Sequence, residues 1–174
     1  MVKKRAEKHA ESLNVDTAAR KILRGVDFTQ SAETWGRALL ENLAHELEIM
    51  TGIIYFRNRE GVYEPAATYA FHMAHTPYTF REGEGLSGQA AMNREVHLLK
   101  SIPAEYGTVF SGLGDTAPDY LAMVPVGIAK QTVVLLECAG FRFASEPLDQ
   151  LFQILAREMG TRLSELQEKG GKDA

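Results

Sequence analysis

Few residues in this 174-residue chain are spaced for chemistry, and the densest group is Glu82-Gly83-Glu84-Gly85-Leu86-Ser87-Gly88-Gln89-Ala90. Gly83, Gly85 and Gly88 match G-x-G-x-x-G, in which backbone N–H groups at a helix start cradle a dinucleotide pyrophosphate. That use requires a preceding strand and a following helix within a parallel βαβ unit. Glu82 and Glu84 would also set two carboxylates beside the phosphates. The favoured reading is a tight glycine turn that feeds a short helix and closes one side of a pocket. His72 and His75 form H-x-x-H at a strand end or loop, without a cysteine or carboxylate at ligand spacing. Two exposed or partly satisfied histidines are expected there rather than a metal site. His97 is placed in the third strand region, facing solvent or a pocket rim, and His9 and His45 on helix surfaces.

Nucleophile candidates are weak. Ser111 sits in Val109-Phe110-Ser111-Gly112-Leu113, which lacks the G-x-S-x-G elbow of hydrolases. The loop Ser111-Gly112-Leu113-Gly114-Asp115 could hold an anion through backbone N–H groups, but a tight turn into the next strand is favoured. Cys138, the one cysteine, ends the apolar run Val133-Val134-Leu135-Leu136 and reads as a small buried hydrophobe. One cysteine excludes an internal disulfide and any multi-cysteine metal centre. No cofactor and no metal are implied.

The bulk properties are those of a globular domain: 45% hydrophobic and 24% charged residues, with a formal net charge of -4. That charge argues against a nucleic-acid partner, whose backbone needs a concentrated basic face. The early cations Lys3, Lys4, Arg5 and Lys8 alternate with Glu7 and Glu11, as on a solvated helix face. No signal peptide and no apolar run near the roughly 20 residues of a membrane helix is visible, so a cytoplasmic protein without a membrane partner is expected.

The elements that must position these residues follow from periodicity. Residues 3–24 read as helix, broken near Asn14, where Asn14 or Asp16 could cap a second segment. Ser31 caps a further helix whose Trp35, Leu39, Leu43, Leu47 and Met50 share one face and which ends around Thr51-Gly52. Ile53-Ile54-Tyr55-Phe56 begins a strand, Asn58-Arg59-Glu60-Gly61 supplies the turn, and Val62 to Phe71 returns. Pro65 within that return implies an edge position or a bulge. A short helix near 87–94, a strand from Val96 to Ser101 and a loop from Pro103 to Pro118 follow. Tyr120 to Val126 and Thr132 to Cys138 make a central hairpin covered on both faces. Leu148, Phe152, Leu155, Met159, Leu163 and Leu166 mark a long final helix, and 170–174 a frayed tail. Helix, strands, then helix predicts an α+β domain with an antiparallel sheet.

The order of these pieces resembles a GAF domain. The matching motifs are Gly83-Glu84-Gly85-Leu86-Ser87-Gly88-Gln89-Ala90, Pro103-Ala104-Glu105-Tyr106, Ser111-Gly112-Leu113-Gly114, Val124-Pro125-Val126 and Leu136-Glu137-Cys138-Ala139-Gly140-Phe141. They are most similar to GAF sensory regions of bacterial histidine kinases and related signalling receptors, over roughly residues 30–168. Val134 and Gly140 depart from that pattern, where such relatives often have glycine and serine. Cys138 is not placed to attach a bilin, and Asn93-Arg94 with 143–149 does not copy the cyclic-nucleotide signature. Relatives that reduce methionine sulfoxide use several cysteines.

The resemblance implies about five or six strands with the N- and C-terminal helices packed on one face. It implies an N-terminal helical extension at 1–29, a sensory domain at 30–168 and a flexible tail at 169–174. It also implies a non-catalytic sensory or regulatory domain that binds an unidentified small molecule. Tyr69, Phe71, Tyr106, Phe110 and Tyr120, with Ser111, bracket the region where GAF relatives enclose ligands, and the aromatics suit a core equally well. The step Leu148, Phe152, Leu155, Met159 looks like a coiled-coil seam, weakened by Gly160 and Arg162, so a homodimer through the terminal helices is expected. Output would pass to a separate protein such as a histidine kinase. The alternatives are a ligand-free dimerisation or interaction scaffold and a small redox or hydrolytic enzyme on the same fold.

Overall fold

The computed structural model describes residues 13–71, 77–100, 102, 109–111, 114–141 and 145–170, with only the backbone placed over 109–116. The first helix, α1 (Val15–Ile22), starts where Asn14 accepts a hydrogen bond from the Thr17 amide at 2.9 Å. In α2 (Ala32–Leu47) Ser31 does the same for Thr34 at 3.2 Å, and Glu33 lies in the first turn. Trp35, Leu39, Leu43 and Leu47 are buried along one face. The helix ends earlier than expected. Glu48 takes the left-handed conformation as its C-cap, and strand β1 (Ile49–Arg57) follows at once, so Met50 and Gly52 belong to the sheet. Gly52 serves close approach instead of helix termination: a Cβ there would lie 2.7 Å from Leu40 Cδ2.

Asn58 closes the turn after β1, its side-chain oxygen accepting from the Glu60 and Val62 amides at 2.9 and 3.0 Å. Strand β2 (Tyr63–Tyr69) returns along the sheet edge, with a register shift opposite Pro65. Helix α3 (Gly85–Asn93) and strand β3 (His97–Leu99) come next. The stretch expected as loop contains a separate two-stranded ribbon, β4 (Val109–Ser111) with β5 (Gly114–Thr116). Strands β6 (Tyr120–Ile128) and β7 (Gln131–Gly140) form the central hairpin, and α4 (Glu146–Gly170) closes the described chain.

The five-stranded sheet has the order β2-β1-β7-β6-β3, antiparallel throughout. The expected α+β architecture is therefore observed. A parallel βαβ unit is not what surrounds α3, so the dinucleotide use of Gly83, Gly85 and Gly88 has no scaffold. Side-chain alternation splits the core in two. On one face Ile54, Ala122, Val124, Leu136 and Cys138 pack against α1, α2 and α4. Leu148, Phe152, Leu155, Met159 and Leu163 of α4 are buried there. The apolar seam read as a dimer stripe is thus covered within the chain. Arg162 reaches the Leu23 carbonyl at 3.5 Å and sits over the Phe28 ring, tying α4 to the end of α1. Asn42 fastens the same end by donating to the carbonyls of Ile22 and Arg24 at 2.8 and 3.1 Å.

Candidate functional site

The second sheet face carries Ile53 and Tyr55 of β1, Leu121 and Met123 of β6, and Leu135 and Ala139 of β7. Helix α3 lies over it, burying Ala90 and Ala91. The glycine run sets the start of this helix. Gly83 and Gly85 adopt φ of 84° and 63°, and Gly83 N–H donates to the Gly88 carbonyl at 2.8 Å. A side chain at Gly88 would run into the Arg81 carbonyl. The far end is held by Thr132, whose hydroxyl donates to the Ala91 carbonyl at 2.8 Å. These constraints deliver Ser87, 1% exposed, onto the sheet.

Ser87 meets Glu137. Strand β7 alternates Val134, Leu136 and Cys138 toward the helices and Leu135, Glu137 and Ala139 toward α3, which puts one carboxyl in an apolar face. Register sets Ile53 and Met123 on either side of Glu137, and His97 beyond Met123. The Ser87 hydroxyl donates to Glu137 Oε2 at 2.5 Å, and the Tyr78 hydroxyl lies 3.2 Å from Ser87 Oγ. With the single Ser87 proton committed to the carboxylate, Tyr78 is the donor in that second contact. Glu137 Oε1 accepts no hydrogen bond among the described residues. Burial pushes the Glu137 carboxyl above its ordinary value, and the Ser87 hydrogen bond pulls it back.

Tyr55 adds a second unusual group. Its side chain is fully buried, and its hydroxyl has no hydrogen-bond partner among the described residues. Burial, then the charge of Glu137, pushes the phenol far above its ordinary value. The Tyr55 ring stands 5.0 Å from Phe80, edge to face, and 6.3 Å from Tyr78. The result is a hydrogen-bonded carboxyl beside an aromatic cluster, on a sheet face otherwise apolar. Such a set can bind and orient a small polar molecule.

Most of the residues singled out by sequence whose side chains are described fall elsewhere. Tyr120 is fully buried on the helix-facing side of β6, 6.3 Å from the Phe152 ring. Tyr69 pairs with Gly52 and packs on that same side, because the register shift between Pro65 and Ala67 reverses the alternation that sets Tyr63 on the α3 face. Of the three expected aromatics whose side chains are described, Tyr69, Phe71 and Tyr120, Phe71 packs against the α3 face. Phe110 and Ser111 lie on β4, opposite Asp115 and Gly114, and Tyr106 lies outside the described residues. Tyr120 and Tyr69 are thus separated from Phe71 by the sheet itself. His72 and His75 also lie outside the described residues, as do 3–12 and 171–174. His45 is exposed, as expected, and His97 is half-buried. Cys138 is 1% exposed beneath the helices, and burial pushes its thiol well above the ordinary range. Glu137 and Ser87 lie inside two of the sequence motifs, and their spacing alone does not mark them as a pair. The available signal was one carboxylate in an otherwise apolar central strand.

Two open grooves, of about 540 and 520 Å³, lie away from this face. The first runs beside the β6–β7 turn and α4, past Gly127, Ala156 and Gly160. The second is bounded by Phe28, Trp35, Phe56 and Leu166. Neither includes Glu137, Ser87 or Tyr55.

No protein-family model and no curated protein matches the chain. Solved structures do. The GAF domain of a phosphoenolpyruvate-protein phosphotransferase from Coxiella burnetii superposes with a TM-score of 0.70 at 17% identity, over 91% of this chain and 97% of that one. This chain has the GAF fold. The corresponding Acinetobacter domain gives 0.68 at 15% identity, over 90% and 96% of the two chains. Free methionine-R-sulfoxide reductase from Neisseria meningitidis, in complex with its substrate, gives 0.64 at 11%, over 90% and 89%. The same fold therefore occurs among these neighbours both in GAF domains of a phosphotransferase and in a free methionine-R-sulfoxide reductase.

Proposed function

We propose that the chain is a non-catalytic GAF-type sensory or regulatory domain that binds a small molecule on the α3 face of its sheet. The observation carrying this reading is a polar group set in an apolar face: the Glu137 carboxyl, with Ser87 as its hydrogen-bond donor, beside a buried Tyr55 hydroxyl that has no partner among the described residues. Buried polar groups are costly unless satisfied, so a site of this kind is kept where a ligand completes it. The reading against catalysis rests on Cys138, the single cysteine, which faces the helices rather than this site.

Binding against β7 and β6 would be felt on their other face by α4 and α1. A ligand that fits one packing of these helices better than another shifts the balance between them. The domain would act as a homodimer through outward surfaces of the terminal helices, since their apolar seams are spent inside the chain. Its output would be a separate protein such as a histidine kinase, in a cytoplasmic setting. A thermal-shift screen against a library of soluble metabolites tests the reading. At least one compound should raise the midpoint of the wild type and fail to raise that of Tyr55→Phe. A screen without any stabiliser favours a ligand-free dimerisation scaffold and overturns the sensor reading.

A further inference from the structure

We propose that the molecule taken by this site is a small organic cation, an ammonium group on an apolar body, which pairs with Glu137 and packs against the rings of Tyr55 and Tyr78. This rests on the reading of the α3 face as a ligand site. Three observations point to the class. The first is the lone carboxyl. The described ion pairs involve Glu33, Glu46 and Glu158, and among the described residues no lysine or arginine pairs with Glu137. Ser87 supplies a hydrogen bond but no positive charge, so an ionised Glu137 lacks the counter-charge that a desolvated carboxylate needs.

The second is the aromatic cluster. Tyr55, Tyr78 and Phe80 stand within 5.0–6.3 Å of one another at tilted or edge-on angles, the arrangement that offers ring faces to a cation. Tyr78 is 51% exposed and so is reachable from solvent, whereas Tyr55 is fully buried. The third is the Tyr55 hydroxyl, which lacks a partner among the described residues and can accept from a second N–H of the same ammonium. Ile53, Leu121 and Met123 around the carboxyl supply the apolar floor. A divalent metal is disfavoured there, because hard cations take six or more oxygens and no group of three potential ligands is found among the described residues.

The test uses methyl-detected NMR on the full chain with three probes of one shape: n-butylammonium, n-butanol and butyrate. n-Butylammonium should shift the Met123 and Ile53 methyl signals in a saturable way, with at least tenfold tighter binding than either of the others. Glu137→Gln, which keeps an acceptor for Ser87, should retain the fold by its spectrum and lose that preference. Equal responses to n-butanol or butyrate would overturn the cation assignment. Methyl signals that ignore all three probes but respond to a hit from the metabolite screen would overturn the class while leaving the ligand site standing. Silence toward both would overturn the class and the site together.

Discussion

Gly160 of α4 rests against the backbone of Gly127 in β6: a Cβ at position 160 would come 2.6 Å from the Gly127 carbonyl oxygen. The sequence pattern marks Gly160 as a weakness in a helix seam, whereas the packing makes it a point of close helix-to-sheet approach. The obstructing atom is backbone, so it cannot swing away. Gly160→Ala should therefore cost about 1–3 kcal/mol through overpacking, despite the better helix propensity of alanine. Gly170→Ala, with nothing within 4 Å, should be neutral or slightly stabilising. Urea denaturation of both variants checks the contrast.

Ser87→Ala removes the donor that reaches Glu137 from α3. At neutral pH it should destabilise by about 1.5–3 kcal/mol, the range for a hydrogen bond to a charged group. In Glu137→Gln the same serine change should cost less. The difference, read from a double-mutant cycle, isolates the pair. Equal costs in both backgrounds would mean that the two side chains do not interact.

The pH dependence has a definite sign. Burial raises the Glu137 pKa above its ordinary 4.5, so the folded chain holds this proton where the unfolded chain has released it. Its contribution to stability is complete below 4.5 and is lost as pH rises through the folded value. Among the described residues, the other groups on this face able to carry charge include Tyr55, Tyr63, Tyr78 and His97. Thermal melts from pH 4 upward should show a decline in the wild type that is flattened in Glu137→Gln, which is the more stable protein at pH 8.

Tyr55→Phe separates stability from binding. Deleting a buried hydroxyl that has no partner among the described residues should stabilise the free protein by about 1 kcal/mol. The same deletion should weaken ligand binding. A variant both less stable and unaltered in binding would remove Tyr55 from the site.

Much of the fold was legible because local chemistry agreed with it. Asn14 and Ser31 cap helices as their types suggest, Pro65 sits at an edge and a bulge, and Asn58 builds the expected turn. The end of α2 was not legible, since Met50 continues the helical spacing while Glu48 supplies a left-handed cap that no glycine announces. The site was less legible still. Which face a strand aromatic occupies depends on register to one residue, and that sends Tyr69 and Tyr120 under the helices. Glu137 looks like one polar letter in an apolar strand until the sheet reveals what faces it.

Native mass spectrometry of the freshly purified protein, recorded intact and after denaturation, tests the central claim most directly. The account predicts a dimer carrying a small non-covalent mass that disappears on denaturation, from the wild type and not from Glu137→Gln. A chain that carries no such mass, and gains none in the presence of any cationic metabolite, would contradict it.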